Sequence, residues 1–297
     1  VPAWAGRACE VVPLDGGITN RNARVTVEGI DGAFVVRLPG KRTDLLGIDR
    51  GHERQAAEQA AALGVAPEVV AYLEPEGSLV TRFVTGRTLT AADVAGEHLE
   101  AAARLLRRVH DGPPLAATFD WFEVPQDHAR VAVAQGGTLP PAYEEAMERA
   151  RQVRDAFEAD PDPFVPCHDD LLPANLLAEP DGRLWLLDWE YAGMNDRFFD
   201  LGNLAVNNEL EAEHEERLLA AYLDPSPVTD RARARLALMK VMSDLREAMW
   251  GVVQSAVSDL DEDFDAYAAT HFERLLANAA DPRWGELLAA AAPPAAR

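Results

Sequence analysis

Between Phe164 and Asn208 stand side chains whose types and spacing could do chemistry together. His168, Asp170 and Asn175 form an H-x-D-x-x-x-x-N pattern, and Asp188 follows at the end of a short apolar run, Leu184 to Leu187, that predicts a strand. Two carboxylates and a carboxamide in one loop cluster suit phosphoryl transfer, whose loose, highly charged transition state asks the protein mainly to position groups and neutralise charge. In that chemistry a carboxylate accepts the proton of a substrate hydroxyl, while oxygen ligands hold magnesium, a hard cation that keeps several of its waters. Asp and Asn taken singly are ordinary turn residues. The order strand, loop, strand around them makes the joint pattern specific.

The spacing is similar to the catalytic loop of protein kinases, where the base stands five residues before the metal-binding Asn. By that likeness Asp170 is the base, Asn175 and Asp188 are the magnesium ligands, and Asp169 is a neighbour without a chemical role. HDDLLPANLL and LLDWEYAGMNDRFFDLGNLA together resemble the choline/ethanolamine kinase branch of the aminoglycoside-phosphotransferase-like kinases, and the resemblance covers most of the chain. It implies an α+β, two-lobed protein-kinase-like fold with a small antiparallel sheet and one helix in the first lobe and a larger, mostly helical second lobe. It also implies ATP and Mg2+ as cosubstrates and a small, cationic alcohol, choline- or ethanolamine-like, as acceptor.

The elements ahead of that segment must hold the nucleotide. CEVVPL, RVTVEGI and AFVVRL predict strands of a small antiparallel sheet, rich in β-branched residues. The turn from Asp15 to Asn20 carries Gly16 and Gly17, which let backbone N–H groups approach phosphates without a Cβ in the way. Such a turn alone is usually only a hairpin; its likeness to the G-G-x-T-N loop of choline-kinase-like proteins implies phosphate contacts from Gly16, Gly17, Thr19 and Asn20. Arg37 ends the third strand, where kinases place a phosphate-binding lysine, and an Arg there grips phosphate oxygens bidentately. The alanine-rich stretch Asp49 to Leu63 predicts a helix on which Glu53 either pairs with Arg37 or lies on a solvated face. EVVAYL and SLVTRFV predict two further strands, and the latter leads into a hinge where Arg82, Phe83 and Val84 offer adenine backbone hydrogen bonds and an apolar wall. The lobe boundary is expected near Thr85-Gly86, giving lobes of 1–85 and 86–297.

The second lobe should hold the acceptor. A helix is expected from Ala91 to His110, with His110 as a cation at its C-terminus. Residues 111–140 read as an irregular insert without a legible role, followed by helices near 141–159, 200–208, 211–223, 229–257 and 261–279. SDLREAMWGVVQ resembles the choline-kinase segment in which two Trp faces meet a quaternary ammonium. Trp250 and Gln254 match it, but Glu247 stands where the first Trp would be, and Asn207 replaces an acidic residue. Glu247 and Trp250, one turn apart, could hold an ammonium by charge and aromatic face together, although a core role for Trp250 fits equally. Glu190 and Tyr191 match family positions and are expected at the acceptor pocket, with Asp200 bracing the catalytic loop.

Composition narrows the partners. The chain has 28 basic against 50 acidic residues, a formal charge of −22, which disfavours nucleic acid and anionic membranes because both are polyanions. Lys41 and Lys240 are its only lysines, so the usual kinase lysine has few places to be. Cys9 and Cys167 fit neither a disulfide framework nor a metal motif, which suggests a reducing cytoplasm. No long apolar run or signal-peptide pattern argues for a membrane or export. Length fits two lobes around a cleft, and nothing in the sequence states the oligomeric state. The alternatives are an aminoglycoside-type antibiotic kinase and a nucleotide-binding pseudokinase without turnover; the intact Asp170, Asn175 and Asp188 set argues against the second.

Overall fold

The computed structural model describes residues 1–14 and 20–292. Gly16, Gly17 and Thr19, expected at the phosphates, lie outside the described residues. The chain begins with β1 (Cys9–Leu14), β2 (Asn20–Val27), β3 (Ala33–Pro39), β4 (Val69–Leu73) and β5 (Ser78–Arg82), an antiparallel sheet in the order β1-β2-β3-β5-β4. Alternation of apolar side chains buries Val25, Val27, Phe34 and Val80 in one small cluster. In this register Arg37 lies on the central strand, opposite Asn22 on one side and Leu79 on the other. The crossover from β3 to β4 carries α1 (Arg50–Ala62), whose first turn is capped by Asp49 accepting from Gly51 N and His52 N. Ala56, Ala57 and Ala60 of α1 join Leu79 in the main core, which leaves Glu53, on the same buried side, turned towards Arg37.

The rest of the chain is mainly helical, with short strands that frame a loop. These are β6 (Arg87–Thr88), β8 (Leu176–Ala178) and β9 (Leu184–Leu186) in one sheet, and β7 (Val165–Cys167) paired with β10 (Gly193–Asn195) in another. The helices are α2 (Ala91–Ala95), α3 (Leu99–His110), α4 (Glu123–Ala134), α5 (Ala142–Ala159), α6 (Arg197–Asn207), α7 (Ala212–Leu223), α8 (Asp230–Val257), α9 (Phe264–Ala279) and α10 (Trp284–Ala291). Among the described residues no helix is long and apolar enough to cross a membrane. α8 runs through the interior and is buried on nearly every side from Val241 to Gln254, with α6, α4, α9 and α10 packed around it.

Three sequence expectations change. The helix expected over 91–110 is two helices, because α2 closes its own capping box between Thr90 and Asp93 and ends at Gly96. The supposedly irregular insert contains α4, whose Pro125 falls in the first turn, where its missing N–H breaks no helical bond; Asp120 accepts from Phe122 N and Glu123 N just ahead of it. α6 begins before Asp200, at Arg197, because Asp196 caps it by accepting from Phe198 N.

Where α6 crosses α8 the helices touch backbone to backbone at Gly202. A Cβ there would lie 2.7 Å from Met239 C and 2.8 Å from Lys240 N. Gly202→Ala should therefore push the helices apart and destabilise the protein by about 1–3 kcal/mol, the usual range for overpacking. Urea denaturation measures this; an unchanged midpoint would contradict the close crossing.

Candidate active site

The loop between β7 and β8 is held from behind by two side chains of α6. Asp200 accepts from the backbone N–H groups of His168 (2.9 Å) and Asp169 (2.8 Å), and Asn203 accepts from Leu171 N at 2.5 Å. Asp169 stands at φ 65, a left-handed backbone that costs about 1–3 kcal/mol and persists only where surroundings over-determine it. Asn195 supplies part of that constraint by donating to Asp169 Oδ1 at 2.7 Å. His110 is not a solvated cap at the end of its helix: it is buried between Asp200 Oδ2 (3.0 Å) and the Tyr222 hydroxyl (2.7 Å). Burial alone would raise the Asp200 pKa, but His110 and the loop N–H groups hold it below the ordinary aspartate range. His168 ties the loop to the segment bearing Asp188, since its Nε2 meets Leu187 O at 2.8 Å.

So positioned, Asp170 and Asn175 meet at the mouth of the loop. Asn175 Nδ2 donates to Asp170 O (2.8 Å) and to Asp170 Oδ2 (3.0 Å), which turns the carboxamide oxygen of Asn175 away from Asp170. Asp188, at φ 60, accepts at Oδ1 from Arg37 Nη1 at 2.9 Å. Burial, with Glu247, Asp188 and Glu190 nearby, pushes the Asp170 pKa up to about 7 despite Arg246. Burial and Glu190 push Asp188 up to about 6 against Arg37 and Arg50. Crowded carboxylates that resist ionisation form a site that gains from a cation. Hard oxygen donors from Asn175 and Asp188 fit magnesium in kind.

On the side of the sheet, the expected Arg37–Glu53 contact is present as an ion pair between Nη2 and Oε1. Arg37 thus lies between Glu53 and Asp188, and its guanidinium pKa is lowered by burial. Glu190, expected at the acceptor, is instead in this network: its Oε2 accepts from Arg50 Nη1 and from Asn20 Nδ2, each at 2.9 Å. Arg50 also pairs with Glu53 at 2.7 Å and donates to Asn20 Oδ1 at 3.2 Å. At the hinge, Arg82 N and Phe83 N are spent on Glu68 O and Ala33 O, so Val84 is the first residue past the sheet bonding. The Arg82 side chain turns to Asp31 O and Glu68, and Arg24 stacks on Phe83.

On the side of α8, Trp250 donates from Nε1 to the Tyr191 hydroxyl at 3.0 Å, and its ring is flanked by Phe264 and Tyr267. Glu247 is fully enclosed. Its Oε1 accepts from Arg246 Nη1 (2.9 Å) and Asn203 Nδ2 (3.3 Å), and its Oε2 from the Tyr267 hydroxyl (2.8 Å). Although burial opposes ionisation, Arg246, His271, Tyr267 and Asn207 lower its pKa. The negative charge of Glu247 is therefore met inside the protein rather than left for an ammonium. Arg246 also reaches Asp170 Oδ1 at 3.4 Å and covers the Tyr191 ring at 4.5 Å.

Sequence reasoning missed Arg50 and Arg246. Arg50 was legible as a cation three residues before Glu53, hence on the same helical face. Arg246 was legible as one of the charges interrupting an apolar helix, SDLREAMW, where a buried charge requires a partner.

The model described as "Phosphotransferase enzyme family" matches residues 10–237. Ethanolamine kinase 2 of Mus musculus is 25% identical over 299 residues, covering 92% of this chain and 77% of the relative. The crystal structure of a choline/ethanolamine kinase family protein from Mesorhizobium loti superposes with a TM-score of 0.84 at 33% identity, covering 98% of this chain and 95% of the other. LicA in complex with AMP has a TM-score of 0.75 at 24% identity, covering 92% of each chain, a likeness of fold.

The crowded carboxylates give a pH signature. Asp170 and Asp188 keep their protons to about 7 and about 6 in the folded chain, against ~4 in the unfolded one. Folding therefore takes up protons in that window, and the stability contributed by these groups falls as pH rises through it. Asp188→Asn removes one of them, so its stability relative to the parent chain should rise from about pH 4 to about pH 6 and then level off. Urea denaturation at fixed pH values checks this; a difference independent of pH would contradict the raised Asp188 pKa.

Proposed function

Because the chain belongs to the phosphotransferase enzyme family and to its choline/ethanolamine kinase group, we propose that it transfers the terminal phosphoryl group of ATP to the hydroxyl of a small alcohol of the amino-alcohol class. It is a small-molecule kinase, and kinases of this family use ATP. The observation that supports the reading most is Asp170 itself: a buried carboxylate poised near neutrality, as a general base requires, beside Asn175 and Asp188.

In this reading Asp170 accepts the hydroxyl proton and Arg246 and Asn175 keep its carboxylate in place. Asn175 and Asp188 would hold magnesium through their oxygens. Magnesium bound with ATP would supply neutralising charge on the phosphate oxygens. Arg37, released from Asp188, grips phosphate oxygens; Glu53 holds it from the other side. Gly16, Gly17, Thr19 and Asn20 would contact the phosphates, and the backbone after Arg82 and Phe83, from Val84, would meet the adenine. Tyr191, Trp250, Asn207 and Glu247 shape the acceptor end. The two lobes join near Thr85-Gly86, and the reduced pair Cys9 and Cys167 suits a cytoplasmic enzyme.

The test is ATP consumption by the purified chain with Mg2+ over choline, ethanolamine, other amino alcohols and aminoglycosides. Stimulation by a small amino alcohol is expected, and Asp170→Asn should lower the rate by roughly 10²–10⁴-fold while Mg-nucleotide binding persists. Near-normal turnover in Asp170→Asn would remove Asp170 as the base, and stimulation by aminoglycosides alone would replace the acceptor class.

A further inference from the structure

Arg246 stands beside the base of such a reaction, and three of its five N–H donors are unused. It is 2% exposed. Its Nη1 makes both of its ion pairs, to Glu247 Oε1 at 2.9 Å and to Asp170 Oδ1 at 3.4 Å. Its Nε and Nη2 are buried and have no hydrogen-bond partner among the described residues. Those two nitrogens share one edge of the guanidinium, the side-on fork whose parallel N–H groups match the two oxygens of a carboxylate. A buried, unpaired fork on an always-charged group is costly, so its persistence beside the base calls for an oxygen-bearing ligand.

The aromatic environment points the same way. The face of Tyr191 is covered by the Arg246 guanidinium, 4.5 Å from the ring centroid. Trp250 is flanked edge-on by Phe264 and Tyr267. A quaternary ammonium needs open aromatic faces or an unpaired carboxylate. Here a resident cation occupies one face, and Glu247 is already paired by Arg246, Tyr267 and Asn203.

We propose that the acceptor alcohol carries a carboxylate, received by the Nε–Nη2 edge of Arg246, while its hydroxyl meets Asp170 on the other side of the same guanidinium. The proposal rests on the phosphotransfer reading and names its substrate class more narrowly: an amino alcohol with a carboxylate in place of a trimethylammonium as its main handle. Arg246 is then a specificity residue that touches substrate. His128, whose buried Nδ1 also has no partner among the described residues, lies in the same interior, and burial, helped by Arg246, holds its pKa down to about 4.

The experiment uses acceptor pairs that differ only by the carboxylate: L-serine against ethanolamine, and L-homoserine against 3-aminopropanol. Each is tested with the intact chain for ATP consumption with Mg2+, and for thermal stabilisation in the presence of a non-hydrolysable ATP analogue. The carboxylated member should bind at least tenfold more tightly in each pair. Arg246→Gln should bring the pair to near parity, and Arg246→Lys, a charge without the fork, should fall between. A preference for the amines, binding of neither member, or equal weakening of both by Arg246→Gln would overturn the proposal, the last being the result for a guanidinium that only positions Asp170. The comparison on the unmodified chain stands even if the variants fail to fold. Serine bound without ATP consumption would overturn phosphotransfer and leave the carboxylate site standing; ethanolamine phosphorylated with serine unbound would do the reverse.

Discussion

The structure depends on placing Asp170, Asp188, Glu190, Glu53 and Glu247 in one buried cluster in which, among the described residues, Arg37, Arg50 and Arg246 are the arginines paired with them. Taking charges out of water is expensive, and the attraction of a buried pair offsets that cost only when geometry and further hydrogen bonds are good. Here the arginines bridge: Arg37 spans Glu53 and Asp188, Arg50 spans Glu53 and Glu190, and Arg246 spans Asp170 and Glu247. Each bridge crosses between elements, so the charge network also fixes the sheet and α1 against the catalytic loop and that loop against α8. Burial first, and then the surplus of carboxylate over guanidinium, raises the Asp170 and Asp188 pKa values, and it is this surplus that a bound cation would relieve.

Rigidity behind the cleft makes such a network possible. The loop bearing Asp170 has left-handed backbone at Asp169, and Asp188 has the same conformation, so both must be held by neighbours. Asp200 and Asn203 on α6 hold the loop, His110, itself held by Tyr222, holds Asp200, and Gly202 lets α6 lie directly against α8. The same helix contact brings Asn203 to Glu247, so the brace of the base and the wall of the acceptor end share a side chain. Positioning of this kind, paid in backbone strain elsewhere, is what phosphoryl transfer asks of a protein.

Much of this was legible in the sequence where the signal is local. The strand and turn alternation of the first 40 residues, the H-x-D-x-x-x-x-N loop and the helix periods after Asp200 depend on neighbours in sequence, and the fold follows them. Phosphate contacts expected of Gly16, Gly17 and Thr19 fall outside the described residues. Pro125 hid α4 because a proline in a first turn looks like a proline in a loop, and Gly96 divided a helix that periodicity joined. The acceptor end was least legible. Whether Glu247 faces a ligand or a neighbouring arginine is decided by how α8 packs against the loop and α9, contacts between residues far apart in sequence. Glu190 likewise looked like an acceptor residue until the fold placed it against Arg50 and Asn20.

The central claim is that burial, with this crowding of charge, keeps the Asp170 carboxyl poised near neutrality in the folded chain. Carbon-13 NMR of aspartate-labelled protein, with the signal assigned by its loss in Asp170→Asn, measures the titration directly and needs no acceptor. The account predicts a midpoint near 7, shared in part with Asp188. A midpoint near ~4, the ordinary aspartate value, would contradict it.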